Sequence, residues 1–507
     1  MTTLHTRLLT AALAASTALV AAPALAEGTL TVAQRQDPAN WDPTDTFLVA
    51  WGSVASNIYD GLVRRDENLE LQPGLAESWE VSEDGMTIRF NLRQGVSFHN
   101  GEPFDAEAVK YTFDRLLGEV GAAGPQQSNY TTVESVEIVD EHTVEFKMAQ
   151  PDPVILTKLS GYGAMIVPPD YIEEMGQEHF DMNPVGTGPF KFVRYEQGAR
   201  IELEANPDYF EGAPELDKLV FRFIREDATR LAELQSGGVD IVSDVAFSAV
   251  PTIEASDNAE IVAVSGPTIY SLALKTKDAV TEDVRVRRAL NMAVDKQALI
   301  DAFLAGRGTP IASLQGELSF GHDPELEGYP FDPEQAMALL KEAGVAPGTE
   351  MTIDYRAGNS TFNEVAQALT GFFAAVGLNV GLNPIEDGVF LNEIVPQGRT
   401  NEMFQFSWGG WTFDFDNTAY LSYHEGEKWN PYGTSEEMNE LLDEQRSSPD
   451  QALREEILQE VANLAHEEAY HIPLYNEQTV YAVADRVEGF VPAPDKRLRL
   501  TEVGVAE

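Results

Sequence analysis

Alternation of apolar and polar positions marks the first half of the chain as rich in strands. Thr29-Leu30-Thr31-Val32-Ala33 reads as a short strand, and Met86, Ile88, Phe90 and Leu92 alternate with Thr87, Arg89, Asn91 and Arg93 at the period of a half-buried strand. Residues 136–138 and the positions Val144, Phe146 and Met148 predict two more strands, joined by Asp140-Glu141-His142. Asp105 is placed to cap a helix that carries an acid in its first turn and stops at Gly118. These elements predict a small α+β unit within 76–190. A second block adds strands over 201–205 and 219–224, a helix over 227–235 and a strand over 239–242.

The pattern turns helical after a strand at 270–275. It predicts helix over 284–304 and over 336–343, the latter opened by Asp332-Pro333 and closed by Gly344. A strand at 351–355, helices over 363–376 and 449–468, and a final strand at 479–483 complete this half. No internal repeat, low-complexity tract or Gly/Ser linker interrupts the chain.

Composition sets the scale. A chain of 507 residues is too long for one ordinary core, and 43% hydrophobic residues suffice for packed domains, so two or three are expected. Without cysteine it forms no disulfide. The 83 acids against 34 bases give a net charge of −49, a surface that repels phosphate backbones and anionic lipids and disfavours nucleic acid as a partner. Only 11 of the bases are Lys. An acidic, Lys-poor surface suits a salty medium, where counter-ions screen self-repulsion.

Residues 1–26 carry Arg7, no acid, an apolar run over 8–20 and the small-residue ending Ala24-Leu25-Ala26. This pattern predicts a cleaved secretory leader and a mature chain beginning at Glu27. The apolar run is shorter than the ~20 residues of a membrane span. With no cysteine to accept lipid at the cleavage point, the expectation is a soluble protein of a Gram-negative periplasm.

Six segments in order carry a resemblance: Ile58-Tyr59-Asp60-Gly61-Leu62; Leu75-Ala76-Glu77-Ser78-Trp79 with Asp84-Gly85; residues 92–104 (LRQGVSFHNGEPF); Gly186-Thr187-Gly188-Pro189-Phe190; Asn206-Pro207-Asp208-Tyr209-Phe210; and Ile472-Pro473-Leu474-Tyr475. In this order the chain resembles the family 5 extracellular solute-binding proteins of ABC importers, the peptide/nickel/opine group. The resemblance implies an α/β, two-lobed periplasmic binding protein with a hinge of two crossing segments and an extra α+β subdomain in lobe one. On that basis lobe one is expected over 27–268 and 487–507, with the subdomain at 76–190, lobe two over 277–477, and the hinge at 269–276 and 478–486. The resemblance further implies a monomeric receptor without cofactor or catalysis. It would close on a small solute, peptide-like or opine, and present it to an inner-membrane ABC permease.

Candidate site residues follow from composition and from the family. Phe406–Asn417 holds two Trp and three Phe around paired Gly, a surface for large contacts and close backbone approach: Trp408, Gly409, Gly410, Trp411, Thr412, Asp414 and Asp416 are its candidates. In similar peptide receptors this region pairs with ligand backbone and supplies an Asp for the ligand amino terminus. Here Thr412-Phe413 stand where that Asp is sought, and Asp414 or Asp416 are the substitutes. Arg356, after the 351–355 strand, stands where dipeptide receptors place an Arg for the ligand carboxylate, a role suited to a guanidinium fork. Arg35, Trp51 and Tyr130 are expected to face the cleft from lobe one, the last two from loops.

Other motifs fail on their chemistry. Asp414-x-Asp416 with Glu425 lacks the turn Gly of a calcium loop, where Ala419 stands. His466 and His471 are one residue too far apart for the zinc-protease pair, and Gly186-Thr187-Gly188 lacks the third Gly of a dinucleotide loop. Two alternatives stay open: an oligosaccharide receptor of the same fold, with Trp408 and Trp411 stacking on sugars, and a secreted hydrolase using Asp414 and Asp416 as paired carboxylates.

Overall fold

Two strands of unusual length organise the molecule. In the computed structural model, which describes residues 28–506, Ala259–Leu274 and His471–Ala484 run antiparallel to each other along nearly their whole lengths. The expected short strands at 270–275 and 479–483 are thus fragments of longer ones. Their outer parts look unlike strands because Ser265-Gly266-Pro267-Thr268 and Pro473 break the alternation. The pairing register shifts between Ser265 and Ile269, and the Asn476 amide donates to the carbonyls of Gly266 and Thr268, both at 2.9 Å, across the irregularity. The expected leader lies outside the described residues.

Around this pair an 11-stranded mixed sheet is ordered Asn379–Ile385, Glu350–Arg356, Met403–Gly409, Ala259–Leu274, His471–Ala484, Ile241–Val242, Thr29–Gln34, Lys218–Phe223, Arg200–Ala205 and Phe190–Glu196, with Gly308–Pro310 added on His471–Ala484. The fold is two-lobed α/β. One side of the long pair holds two cores, one built on Leu272, Ile353 and Phe373, the other on Phe406, Trp429 and Leu458. The other side packs Val32, Trp51, Phe221 and Tyr481, joined by Leu498 and Leu500 of the C-terminal tail. The α+β unit expected from the sequence is a four-stranded antiparallel sheet, Ala76–Val81, Thr87–Leu92, Thr143–Met148 and Val133–Asp140, covered by the helix Ala106–Leu117.

Local signals act as expected at the helix starts. Asp105 accepts from the amides of Glu107 and Ala108, and Asp332 accepts from Gln335 at 2.9 Å. The segment read as one helix over 284–304 is two, Val284–Met292 and Lys296–Phe303. Asp295 interrupts it, capping the second helix through the Ala298 amide at 3.0 Å.

Candidate functional site

The aromatic segment 406–417 begins as a strand and ends as a helix. Met403–Gly409 pairs with Ala259–Leu274, setting Ile269 opposite Trp408 and Thr268 opposite Gly409 beside the register shift. The chain then turns: the Phe413 amide bonds to the Gly410 carbonyl at 2.8 Å, and Phe413 takes the left-handed conformation at φ 54°. Asp414 caps the helix Phe415–Tyr423 through the Asp416 amide at 3.0 Å.

This turn faces the other lobe across a cavity of about 480 Å³. Trp408, Gly409 and Trp411 line one wall, with the Trp408 ring fixed by its Nε1 donating to Asn417 at 2.6 Å. Opposite stand Phe47, Val49, Gly161 and Tyr162, and the floor is Arg65, Asp495, Lys496 and Arg497. Trp411 lies so close to Gly161 that a Cβ there would stand 2.8 Å from the ring. The Arg65 guanidinium donates to the carbonyls of Trp411 (2.8 Å) and Thr412 (3.0 Å).

Charge in this floor is concentrated. Asp495 pairs with Arg497 at 2.6 Å, Arg499 at 2.8 Å and Arg65 at 3.7 Å. Burial opposes ionisation of Asp495, but Arg497, Arg499 and Arg65 outweigh it and hold the carboxyl well below the usual range. Burial pushes Arg65 down to about 9 against the attraction of Asp495. One carboxylate thus faces three guanidiniums, and Lys496 adds a fourth cation, its Nζ bonded to Thr268 Oγ1 at 3.1 Å.

A second compartment of about 680 Å³ opens at the carboxyl ends of the parallel strands Thr29–Gln34 and Lys218–Phe223. This is where ligands of open α/β sheets bind. Arg35 and Arg225, one from each strand end, line it with Leu48, whose chain neighbours Phe47 and Val49 line the first cavity. Of its three acids, Asp37 accepts from Tyr195 at 2.5 Å and Asp227 pairs with Arg230 at 2.7 Å, while Glu226 is exposed next to Arg225 in the chain.

The expected residues are therefore only partly gathered. Trp408, Gly409, Trp411 and Arg35 line the two compartments, and Gly410 and Thr412 shape the turn through their carbonyls. Asp414 and Asp416 do not face the cavity. Arg454 binds both oxygens of Asp414, at 3.0 and 3.1 Å, and Arg446 binds Asp416 at 2.7 Å, because the helix that follows needs its first turn capped and its acids neutralised. Burial pushes Asp414 up to about 6 against the pull of Arg454. Arg356 lines neither compartment and is forked onto Asp387, 2.7 Å away at its Nη2.

Trp51 and Tyr130 are wholly buried. Trp51 sits in the helix Val49–Ala55, not in a loop, and packs against Tyr162 with ring centroids 5.2 Å apart, so it supports a cavity residue from behind. Tyr130 donates to the Lys158 carbonyl at 2.8 Å, and its neighbour Asn129 reaches the cavity instead. Sequence reasoning missed Arg65, Tyr162, Arg225 and the Asp495–Arg499 run. The last carried a signal, three bases in five residues of a strongly acidic chain.

A long crossing pair of strands, with a solvent-reaching cavity between the lobes, defines a ligand-binding protein of the two-lobed class. Residues 70–430 match the middle region of the bacterial extracellular solute-binding proteins, family 5, and the chain belongs to that family. It is similar along its length to a di/tripeptide-binding protein 2 of Pseudomonas aeruginosa, 29% identical over 96% of each chain. A glutathione-binding protein GsiB of Salmonella paratyphi A is 28% identical, again over 96% of each. Among solved structures, HbpA2 from Haemophilus parasuis overlays with a TM-score of 0.87 at 26% identity, covering 95% of this chain and 100% of that one. The chain is thus a periplasmic solute-binding receptor that serves an ABC permease, and not an enzyme.

Proposed function

We propose that the receptor captures a peptide-like solute or opine that carries an apolar or aromatic group and at least one free carboxylate. The observation that carries this reading is the adjacency of the two compartments. One offers the Trp408, Trp411 and Tyr162 rings; the other offers two guanidiniums, Arg35 and Arg225, without a carboxylate partner among the described residues. On a chain of net charge −49, free guanidiniums side by side in a cleft favour an anionic group. Relatives that bind di- and tripeptides and glutathione support the peptide-like class.

In this reading residues 1–26 are a cleaved leader, and the lobes rotate about the irregular crossing at 265–269 and 476–478, slightly before the segments expected from the sequence. Ligand touching both walls binds the closed state more tightly and so shifts the lobes toward it. The permease recognises that state.

Denaturing the purified protein and identifying any released small molecule by mass spectrometry tests the class. A peptide or opine supports it, and a saccharide stacked on the Trp pair overturns it while keeping the receptor. If nothing is released, titration with free and amidated dipeptides decides: Arg225→Ala should weaken binding of the free acid about tenfold or more and leave the amide unchanged.

A further inference from the structure

Lobe two contains a second cavity, of about 410 Å³, whose lining shares no residue with either cleft compartment. It lies at the sheet edge where Gly308–Pro310 pairs with His471–Ala484, and the 311–329 segment covers it.

Its wall includes Lys296, the first residue of the helix Lys296–Phe303, which is 8% exposed. The ammonium donates to the Ile311 carbonyl at 2.9 Å and forms no ion pair among the described residues. An ammonium has three N–H bonds, so Lys296 retains donors toward the cavity. Burying a cation without a counter-charge is costly, and a Met or Leu would fill the same space at lower cost. Burial also pushes the Lys296 ammonium down to about 8.

Gln315 supplies an independent sign in the same wall. It is 4% exposed, and its Nε2 is used by the Gly321 carbonyl at 3.2 Å, but its buried Oε1 has no hydrogen-bond partner. The cavity wall therefore holds a cation with spare donors and an unpaired acceptor, and the carboxylates of Glu317 and Asp323 also line it, the latter accepting from Asn463 at 3.0 Å. A group that fits both must bring an anion to Lys296 and an N–H to Gln315.

We propose that this cavity is a second solute site, taking a small zwitterion of the α-amino-acid class with its carboxylate on Lys296 and its amine on Gln315 Oε1. A volume of about 410 Å³ holds such a molecule with room for a side chain. The site also touches the crossing. Asn476, in its lining, holds the carbonyls of Gly266 and Thr268, and Glu317 accepts from Ser265 at 2.9 Å, so an occupant rests against the strand irregularity between the lobes.

The test is a thermal-shift and calorimetric screen of the purified protein against the twenty free L-amino acids at millimolar concentration. At least one should raise the melting temperature of the wild type and of Trp411→Ala, whose defect lies in the cleft, while Lys296→Met abolishes the response. Should Lys296→Met fail to fold by circular dichroism, Gln315→Leu takes its place and is expected to weaken binding at least tenfold. The proposal is overturned if no amino acid binds the wild type, if Trp411→Ala abolishes the response, or if the folded lobe-two variant binds as the wild type does. Dipeptide titration of the same samples reads the cleft separately, so loss of one reading leaves the other standing.

Discussion

The guanidinium of Arg65, on a short lobe-one strand, donates to the main-chain carbonyl of Trp411 in lobe two at 2.8 Å, and to that of Thr412 at 3.0 Å. Because both acceptors are backbone, the contact fixes where the turn lies rather than which side chain it carries. Arg65 is almost fully buried, and Asp495 balances its charge from behind. The aromatic wall of the cavity is thereby tied to the opposite lobe by a residue that need not touch the solute.

Removing that tie should be felt in stability and in lobe separation. Hydrogen bonds to a charged group contribute roughly 1.5–3 kcal/mol each, and their loss leaves two carbonyls and part of Asp495 without a partner. Arg65→Met is expected to destabilise the protein by about 3 kcal/mol in urea melts. It should also increase the radius of gyration in small-angle scattering. Unchanged scattering would mean that the bond does not hold the lobes together.

Gly161 leaves room for the Trp411 ring, and a methyl group there would stand 2.8–2.9 Å from it. Its backbone is not left-handed, φ −84°, but the same methyl would also stand 2.9 Å from the Lys158 carbonyl oxygen, so Gly161→Ala presses on the ring and on the 158–161 turn together. Displacing the ring should cost ligand affinity about as much as Trp411→Ala, on the order of tenfold or more. Far-ultraviolet circular dichroism should stay the same in both. Wild-type affinity in Gly161→Ala would separate the ring's position from recognition.

Acid should unfold the protein partly through His471. This ring is buried between Phe406 and Tyr423, and burial pushes it down to about 3 from an unfolded value near 6.5. The folded state keeps it neutral. Its contribution is therefore fully present above pH 6.5 and is lost progressively as pH falls toward 3, at up to ~1.4 kcal/mol per unit. His99, pushed by burial down to about 4, acts in the same direction. Asp60 and Asp414, raised to about 6 mainly by burial, act oppositely: their cost is present above pH 6 and is relieved as pH falls toward 3.8. The comparison that isolates the imidazole is His471→Gln against wild type, and the variant should lose less stability between pH 6.5 and 4.5. Parallel curves would exclude the ring as the titrating group.

Salt should stabilise the chain. With 83 acids against 34 bases, self-repulsion acts across the whole surface and is screened within a Debye length of about 8 Å at physiological ionic strength and less above it. The melting temperature is expected to rise from low salt to seawater strength. A flat response would show that the acids are already neutralised locally.

Local signals in the sequence were reliable because they act within a few residues. Asp105 and Asp332 cap the helices that follow them, and the alternation around Phe90 is a strand in a four-stranded sheet. They misled where a local preference serves a distant need. Asp414 and Asp416 look like free acids beside an aromatic patch, but one caps a helix and both bind arginines some 30 to 40 positions away. Trp51 looks like an exposed binding aromatic, yet core packing claims it and leaves Tyr162 at the surface of the cavity.

By itself the sequence determined the alternation, the caps, the acidic surface and the ordered segments of a two-lobed receptor, since each depends on near neighbours or on composition. Tertiary structure decided which side chains meet. Arg35 and Arg225 become neighbours because their strands pair in parallel, and Arg65 reaches Trp411 because a lobe-one strand faces a lobe-two turn. Such encounters join residues hundreds of positions apart, and only the packing of the two lobes fixes the distance between them.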